Sequence, residues 1–204
     1  MKKANRIFSL ALLTTFLLSS CDWHRNQTVV GSGDVQTEEI HATDFTGVTV
    51  TGTCNVSITI GEAFSVQLHA QQQVLNVMTA RVKSGILLIG FDPDYTVNTK
   101  EEISATIVMP LLDFVSITGA GNFSLDGEKQ SRLDIVITGA GNVEAFGMEV
   151  DDCNININGS GNCEVNVIEG LVVNVSGVGN IFYKGSPELT SDISGVGNVI
   201  AAGR

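Results

Sequence analysis

"ITGAGNF" occupies positions 117–123 and "ITGAGNV" positions 137–143. Weaker copies follow as "INGSGNC" at 157–163, "VSGVGNI" at 175–181 and "ISGVGNV" at 193–199, so the glycine pairs step by 20, 20, 18 and 18 residues. Five copies at that spacing mark a repeat architecture. Aligned on its glycines, each unit reads as an alternating strand, Gly-x-Gly-Asn, a second short strand and a loose corner. Val115 and Ile117, Ile135 and Ile137, Ile155 and Ile157, Val173 and Val175, and Ile193 in the last copy point one way along the first strands. Phe123, Val143, Cys163, Ile181 and Val199 form a second apolar column after the corner. A unit of 18–20 residues cannot bury its apolar face alone, but copies stacked on one another can. The expected fold is all-β: a right-handed parallel β-helix, a single-stranded solenoid with coils of 18–20 residues and a less regular N-terminal half.

The corner chemistry fits that expectation. Two glycines flanking one small residue make a sharp bend and allow close approach of adjacent coils. Asn122, Asn142, Asn162, Asn180 and Asn198 would stack as a ladder that passes amide hydrogen bonds from coil to coil. "TGTCN" at 51–55 reads as a degenerate sixth corner, with Cys54 in place of the second glycine.

Outside the repeats, short alternating runs at 48–52, 55–60, 64–70, 81–91 and 103–109 carry the strand signature. "QQQVLNVM" (71–78) suits a helical turn, and "DPDYTVNTKEE" (92–102) reads as a loop. The first twenty residues stand apart. Lys2, Lys3 and Arg6 precede an apolar stretch from Ile7 to Leu18, too short to span a membrane, as an export signal requires. "LLSSC" (17–21) resembles a bacterial lipobox, which assigns 1–20 to a lipoprotein signal peptide and lipidation to Cys21. Residues 21–33 would be a tether. The folded domain would run over 34–204, irregular at 34–110 and regular at 111–204.

Loss of the signal removes three positive charges and no acid, leaving 8 Lys and Arg against 22 Asp and Glu. So acidic a surface argues against nucleic acid as a partner. Cys54, Cys153 and Cys163 remain, an odd number, without Cys-x-x-Cys or Cys/His spacing for zinc. Cys153, aligned with Leu133, and Cys163, in the column with Val143 and Ile181, should be small buried hydrophobes. The corners lack the spacing of a phosphate loop and carry neutral asparagine where calcium needs carboxylates. No metal and no cofactor is expected.

Parallel β-helices can carry glycan-cleaving sites, which need paired carboxylates on an outer face. The outward positions of the first strands are Ser116 and Thr118, Val136 and Thr138, Asn156 and Asn158, Asn174 and Ser176, and Asp192 and Ser194. One carboxylate among ten cannot assemble a general acid and base, so no catalytic residue is assigned. Rows of hydroxyls and amides instead suit hydrogen bonding to sugars or to another protein. The candidate binding face is Thr118, Thr138, Asn156, Asn158, Asn174 and Ser176.

The lipobox, "FTGVTVTGTCNVSITIG" (45–61), "VKSGILLI" (82–89), "MPLLDFVSITGAGN" (109–122) and the repeated corners resemble the head GIN domain family of auto-transporter adhesins, the DUF2807 family. The resemblance covers residues 34–204 and implies a β-helical cell-envelope protein without catalytic residues. Cys54 departs from the small residue usual at that corner. The resulting expectation is a lipid-anchored adhesin or scaffolding module, held at the outer membrane on its periplasmic or surface-facing side. Its partners would be the membrane and a glycan or envelope protein; the alternatives are a glycan-active enzyme or a structural or sensing accessory. The last apolar rung, with Ile193 and Val199, would need cover from a second copy of the chain or from the 92–102 loop.

Overall fold

Alternation of apolar and polar residues becomes strand pairing along most of the chain. The structure, a computed structural model, describes residues 27–203; the signal peptide, Cys21 and the tether up to residue 26 lie outside the described residues. β1 (Gln27–Val30), β2 (Val35–Ile40), β3 (Gly47–Val50), β4 (Asn55–Ile60) and β5 (Ser65–Gln71) precede α1 (Gln72–Leu75). β6 (Met78–Lys83), β7 (Ile86–Phe91), β8 (Tyr95–Asn98) and β9 (Ser104–Met109) lead into the repeats. There β10 (Phe114–Ile117), β11 (Phe123–Asp126), β12 (Gln130–Ile137), β13 (Val143–Ile157), β14 (Cys163–Val175), β15 (Ile181–Gly185), β16 (Glu188–Ile193) and β17 (Val199–Ala201) follow.

The repeats stack in register. β3, β10, β12, the second half of β13, the second half of β14 and β16 form one row, every pair parallel. β4, β11, the first halves of β13 and β14, β15 and β17 form the other, also parallel. β13 and β14 are long because each runs on from one row into the other. They join both rows into a nearly closed, barrel-like mixed sheet of 15 strands. Register shifts at Ala145/Glu149 and Val150/Asp152 sit where β13 turns, and absorb the step from 20-residue to 18-residue units.

The nearly closed, mixed sheet departs from the expected single-stranded parallel β-helix solenoid. β7 and β9 pair with β3 and β4, so residues 86–109 lie beneath 47–60 although they come later in the chain. Segment 61–85 makes the detour. On the far side of that lowest rung β5 runs antiparallel to β9, β6 runs antiparallel to β7, and β2 covers β5. An exposed parallel edge would recruit other strands, and this antiparallel layer closes it at the N-terminal end.

Both apolar columns line the interior. Ile135, Ile137, Val143, Ile155, Ile157, Cys163, Val173 and Ile181 are fully buried. Each such aliphatic side chain contributes about 1.5–3 kcal/mol over its exposed state. Cys153 pairs with Leu133, and Cys163 sits between Val143 and Ile181, as the alignment of the copies predicts. All three thiols are free and buried. α1 is the helical turn expected at 71–78, with Val74 and Leu75 buried.

Two further expectations change. Residues 27–30 of the expected tether form β1, paired in parallel with β8 from Gln27↔Tyr95 to Val30↔Asn98. The 92–102 segment therefore contains a strand, and it lies at the N-terminal end. It cannot cover β16 and β17.

Candidate functional site

The corners hold a ladder of asparagines longer than the five copies. Backbone N–H and side-chain Nδ2 of each asparagine both donate to Oδ1 of the one below: Asn142 to Asn122 at 3.0 and 2.9 Å, and Asn162 to Asn142 at 2.9 and 3.2 Å. Asn180 and Asn198 repeat the pattern. Asn122 donates in the same way to Asn55 at 2.9 and 3.2 Å, which makes "TGTCN" a true corner. The last donor of the series, Asn55 Nδ2, gives its hydrogen to Glu102 Oε1 at 3.0 Å. A carboxylate thus closes the ladder at its N-terminal end.

Aligned amide dipoles along such a chain polarise one another. Asn162→Ala should cost about 1–2 kcal/mol, because it strands the Asn180 N–H in the middle of the stack. Asn198→Ala, with no rung above it, should cost less. Urea midpoints of the two variants check the difference.

The predicted face also forms in register. Ser116, Val136, Asn156, Asn174 and Asp192 are successive partners in one column. Thr118, Thr138, Asn158 and Ser176 follow in the next, each one rung apart through bonds such as Thr138 N to Ile117 O at 2.9 Å and Asn158 N to Ile137 O at 2.8 Å. Thr118, Thr138, Asn158, Asn174 and Ser176 are exposed, Asn156 is half-buried and Ser116 is buried. Part of this polarity is already spent within the face: Asn174 Nδ2 donates to Asn156 Oδ1 at 3.2 Å, and Ser176 Oγ donates to Asn158 Oδ1 at 2.6 Å.

Sequence reasoning missed a second surface, on the other side of the corner. Two residues past each corner asparagine stands another outward position. In register these are Ser57, Ser124, Glu144, Glu164, Phe182 and Ile200, and Thr106 of β9 extends the column beside Ser57. Between this column and the ladder lie two hollows of ≈ 400 and ≈ 280 Å³, which share Asn142 and Glu144. A third, of ≈ 420 Å³, sits between the first corner and the 92–103 crossing; it is lined by Phe91, Val97 and Ile103 and shares Asn55 and Glu102 with its neighbour. The signal was present as "GNVE" and "GNCE", an Asn-x-Glu spacing after the corner.

Among the described residues no group of three or more His, Cys, Asp or Glu is placed to hold a metal ion, and no helix is long and apolar enough to cross a membrane.

Comparison with solved structures finds similar proteins. A putative adhesin from Bacteroides fragilis NCTC 9343 aligns over 84% of this chain and 98% of its own, at 20% identity and a TM-score of 0.54. A putative adhesin from Parabacteroides merdae ATCC 43184 aligns over 86% and 100%, at 15% identity and a TM-score of 0.47. At these identities the first likeness concerns the fold alone. No curated protein matches the chain. The family described as "Putative auto-transporter adhesin, head GIN domain" matches residues 44–139 and 129–187, through the corners and strands set out above, and the chain belongs to that family.

Proposed function

We propose that the protein is a non-catalytic adhesin head, held on the cell envelope by a lipid at Cys21 after removal of residues 1–20, and that its stacked rungs form a right-handed parallel β-helix. The family match supports the adhesin reading, and the pairing of β1 with β8 sets how the head would stand on its anchor. Six peptide steps separate Cys21 from Gln27, a reach of at most roughly 20 Å. A lipid at Cys21 would therefore hold the closed N-terminal end of the stack against the membrane; of the periplasmic and surface-facing sides of the outer membrane, an adhesin head requires the surface-facing one. The rungs would point away, presenting their outward columns to a glycan or to another envelope protein. Thr118, Thr138, Asn156, Asn158, Asn174 and Ser176 form one such display.

Mass spectrometry of the protein from its native membrane is expected to find Cys21 as the acylated N-terminus, and Cys21→Ser to leave the chain unacylated. An unmodified Cys21 in the wild type would end the anchoring reading. Binding of the detergent-solubilised full chain to a glycan array tests the adhesin reading; an array without a single hit argues for a structural role instead.

The last rung supports self-association. Among the described residues nothing pairs with the outer edges of β16 and β17, and Val196 and Ile200 are 69% and 40% exposed. Open, apolar strand edges are templates for pairing. Light scattering of the Cys21→Ser form is expected to show an oligomer that the Val196→Lys, Ile200→Lys double variant dissociates. A wild type that stays monomeric at high concentration contradicts this.

A further inference from the structure

The hollows beside the asparagine ladder share walls, so they make one trough that runs from Phe91 and Val97 at the closed end to Phe182 near the last rung. Its hydrogen-bonding capacity can be counted. Each ladder Oδ1 below the last rung, from Asn55 to Asn180, already accepts two bonds from the rung above, which uses both its lone pairs. Each Nδ2 donates one of its two hydrogens to the rung below and keeps the other. The ladder wall thus offers spare donors at the rung spacing of about 4.8 Å.

The opposite wall offers acceptors. Glu144 and Glu164 are register partners on neighbouring strands. Like charges in that relation destabilise a sheet, and no Lys or Arg lines any of the three hollows to offset them. Ser57 and Ser124 continue the wall towards Glu102.

An occupant must therefore donate to carboxylates, accept from amides, and repeat both along an extended chain. Sugar hydroxyls do both at once, and a pyranose ring in an extended chain advances about as far as one rung. The apolar faces of the rings find Phe91 at one end and Phe182 at the other. Acidic polymers are repelled by Glu102, Glu144 and Glu164 within a chain of net charge −11. A peptide strand would be held by main-chain bonds at a sheet edge, whereas here the backbone of the sheet is already paired.

We propose that this trough binds an extended glycan without acidic groups, aligned along the rungs. The proposal rests on the binding-module reading and adds the site and the ligand class.

The test is calorimetric titration of the detergent-solubilised full chain with hexamers of β-linked glucose and of β-linked N-acetylglucosamine, their dimers, and hexagalacturonate. At least one neutral hexamer is expected to bind, more tightly than its dimer, with hexagalacturonate inert. Glu144→Gln with Glu164→Gln should weaken binding at least about tenfold, since two charge-assisted hydrogen bonds are lost. Phe182→Ala should weaken it as well. The double glutamine variant should melt no lower than wild type, because it removes a like-charge contact; this separates a lost ligand from a lost fold. Failure of both neutral hexamers, or equal binding of hexagalacturonate, overturns the proposal. If Thr138→Ala and Asn158→Ala abolish binding while the trough variants leave it intact, the trough is wrong and the adhesin reading stands on its other face.

Discussion

Gly139→Ala is expected to destabilise the protein by about 3–5 kcal/mol, enough to unfold many domains of this size. A Cβ at that position would fall on the Gly119 carbonyl oxygen of the rung below, far inside contact distance. Gly159 and Gly177 meet the Gly139 and Gly159 carbonyls in the same way. The obstacle is backbone, which no rotamer change relieves, and the same strand pairings that build the stack fix the rung spacing. The cost is one of space, because the backbone angle at Gly139 is not one that alanine avoids. Gly85→Ala is the matched control. Gly85 has φ +77° and open space around it, so alanine there meets conformational strain alone, about 1 kcal/mol. Urea denaturation of both variants distinguishes the two costs. A Gly139→Ala protein within 1 kcal/mol of wild type would mean that the corners do not stack as described.

Above pH 9 the protein is expected to lose stability steeply. Burial, and then the Glu102 carboxylate, push the Cys54 thiol up to about 12, and burial pushes the Cys163 thiol up to about 12. Cys153 is pushed up too, by burial first, then by Cys163 and Asp134. In the unfolded chain a thiol ionises near 8.5. The folded state then holds protons that the unfolded state has released, so stability is fully present below about pH 8.5 and is lost as pH rises towards 12. Each thiol contributes a slope of at most about 1.4 kcal/mol per pH unit. Urea midpoints at pH 8, 9 and 10 measure the effect. Cys163→Ala should lessen the slope by about a third, which separates the thiols from Tyr and Lys. Native thiol labelling at pH 8 should be slow. Wild-type and Cys163→Ala midpoints that fall in parallel between pH 8 and 10 would contradict the buried placement.

The stacked half was legible because its signals repeat: the glycines of the corner, the asparagine after them and the inward columns all recur at one period. Even the degenerate corner at 51–55 could be placed, since Asn55 kept the ladder residue when Cys54 replaced glycine. The rung of β7 and β9 could not. Its corner, the 92–103 crossing, has no Gly-x-Gly, and the detour through 61–85 separates sequence order from stacking order. β1 escaped notice because Gln27–Val30 has little burial to write into its sequence; three of its four residues are exposed, and its pairing with β8 is a tertiary choice. The outward positions of the first strands were found by alternation, except Ser116, which is buried. The same reading applied past the corner would have found Glu144, Glu164 and Phe182, but that column changes from hydroxyl to carboxylate to apolar and shows no repeat. A wall of mixed chemistry carries no periodic signature.

Protease treatment of intact cells tests most directly whether this is an adhesin head displayed outward from a lipid anchor. The account predicts that external protease degrades the wild-type chain on intact cells and removes the binding of neutral glycan to them, while cells making Cys21→Ser show neither surface chain nor binding. A chain that stays protected until the outer membrane is permeabilised, on cells that bind glycan equally well without it, would contradict the account.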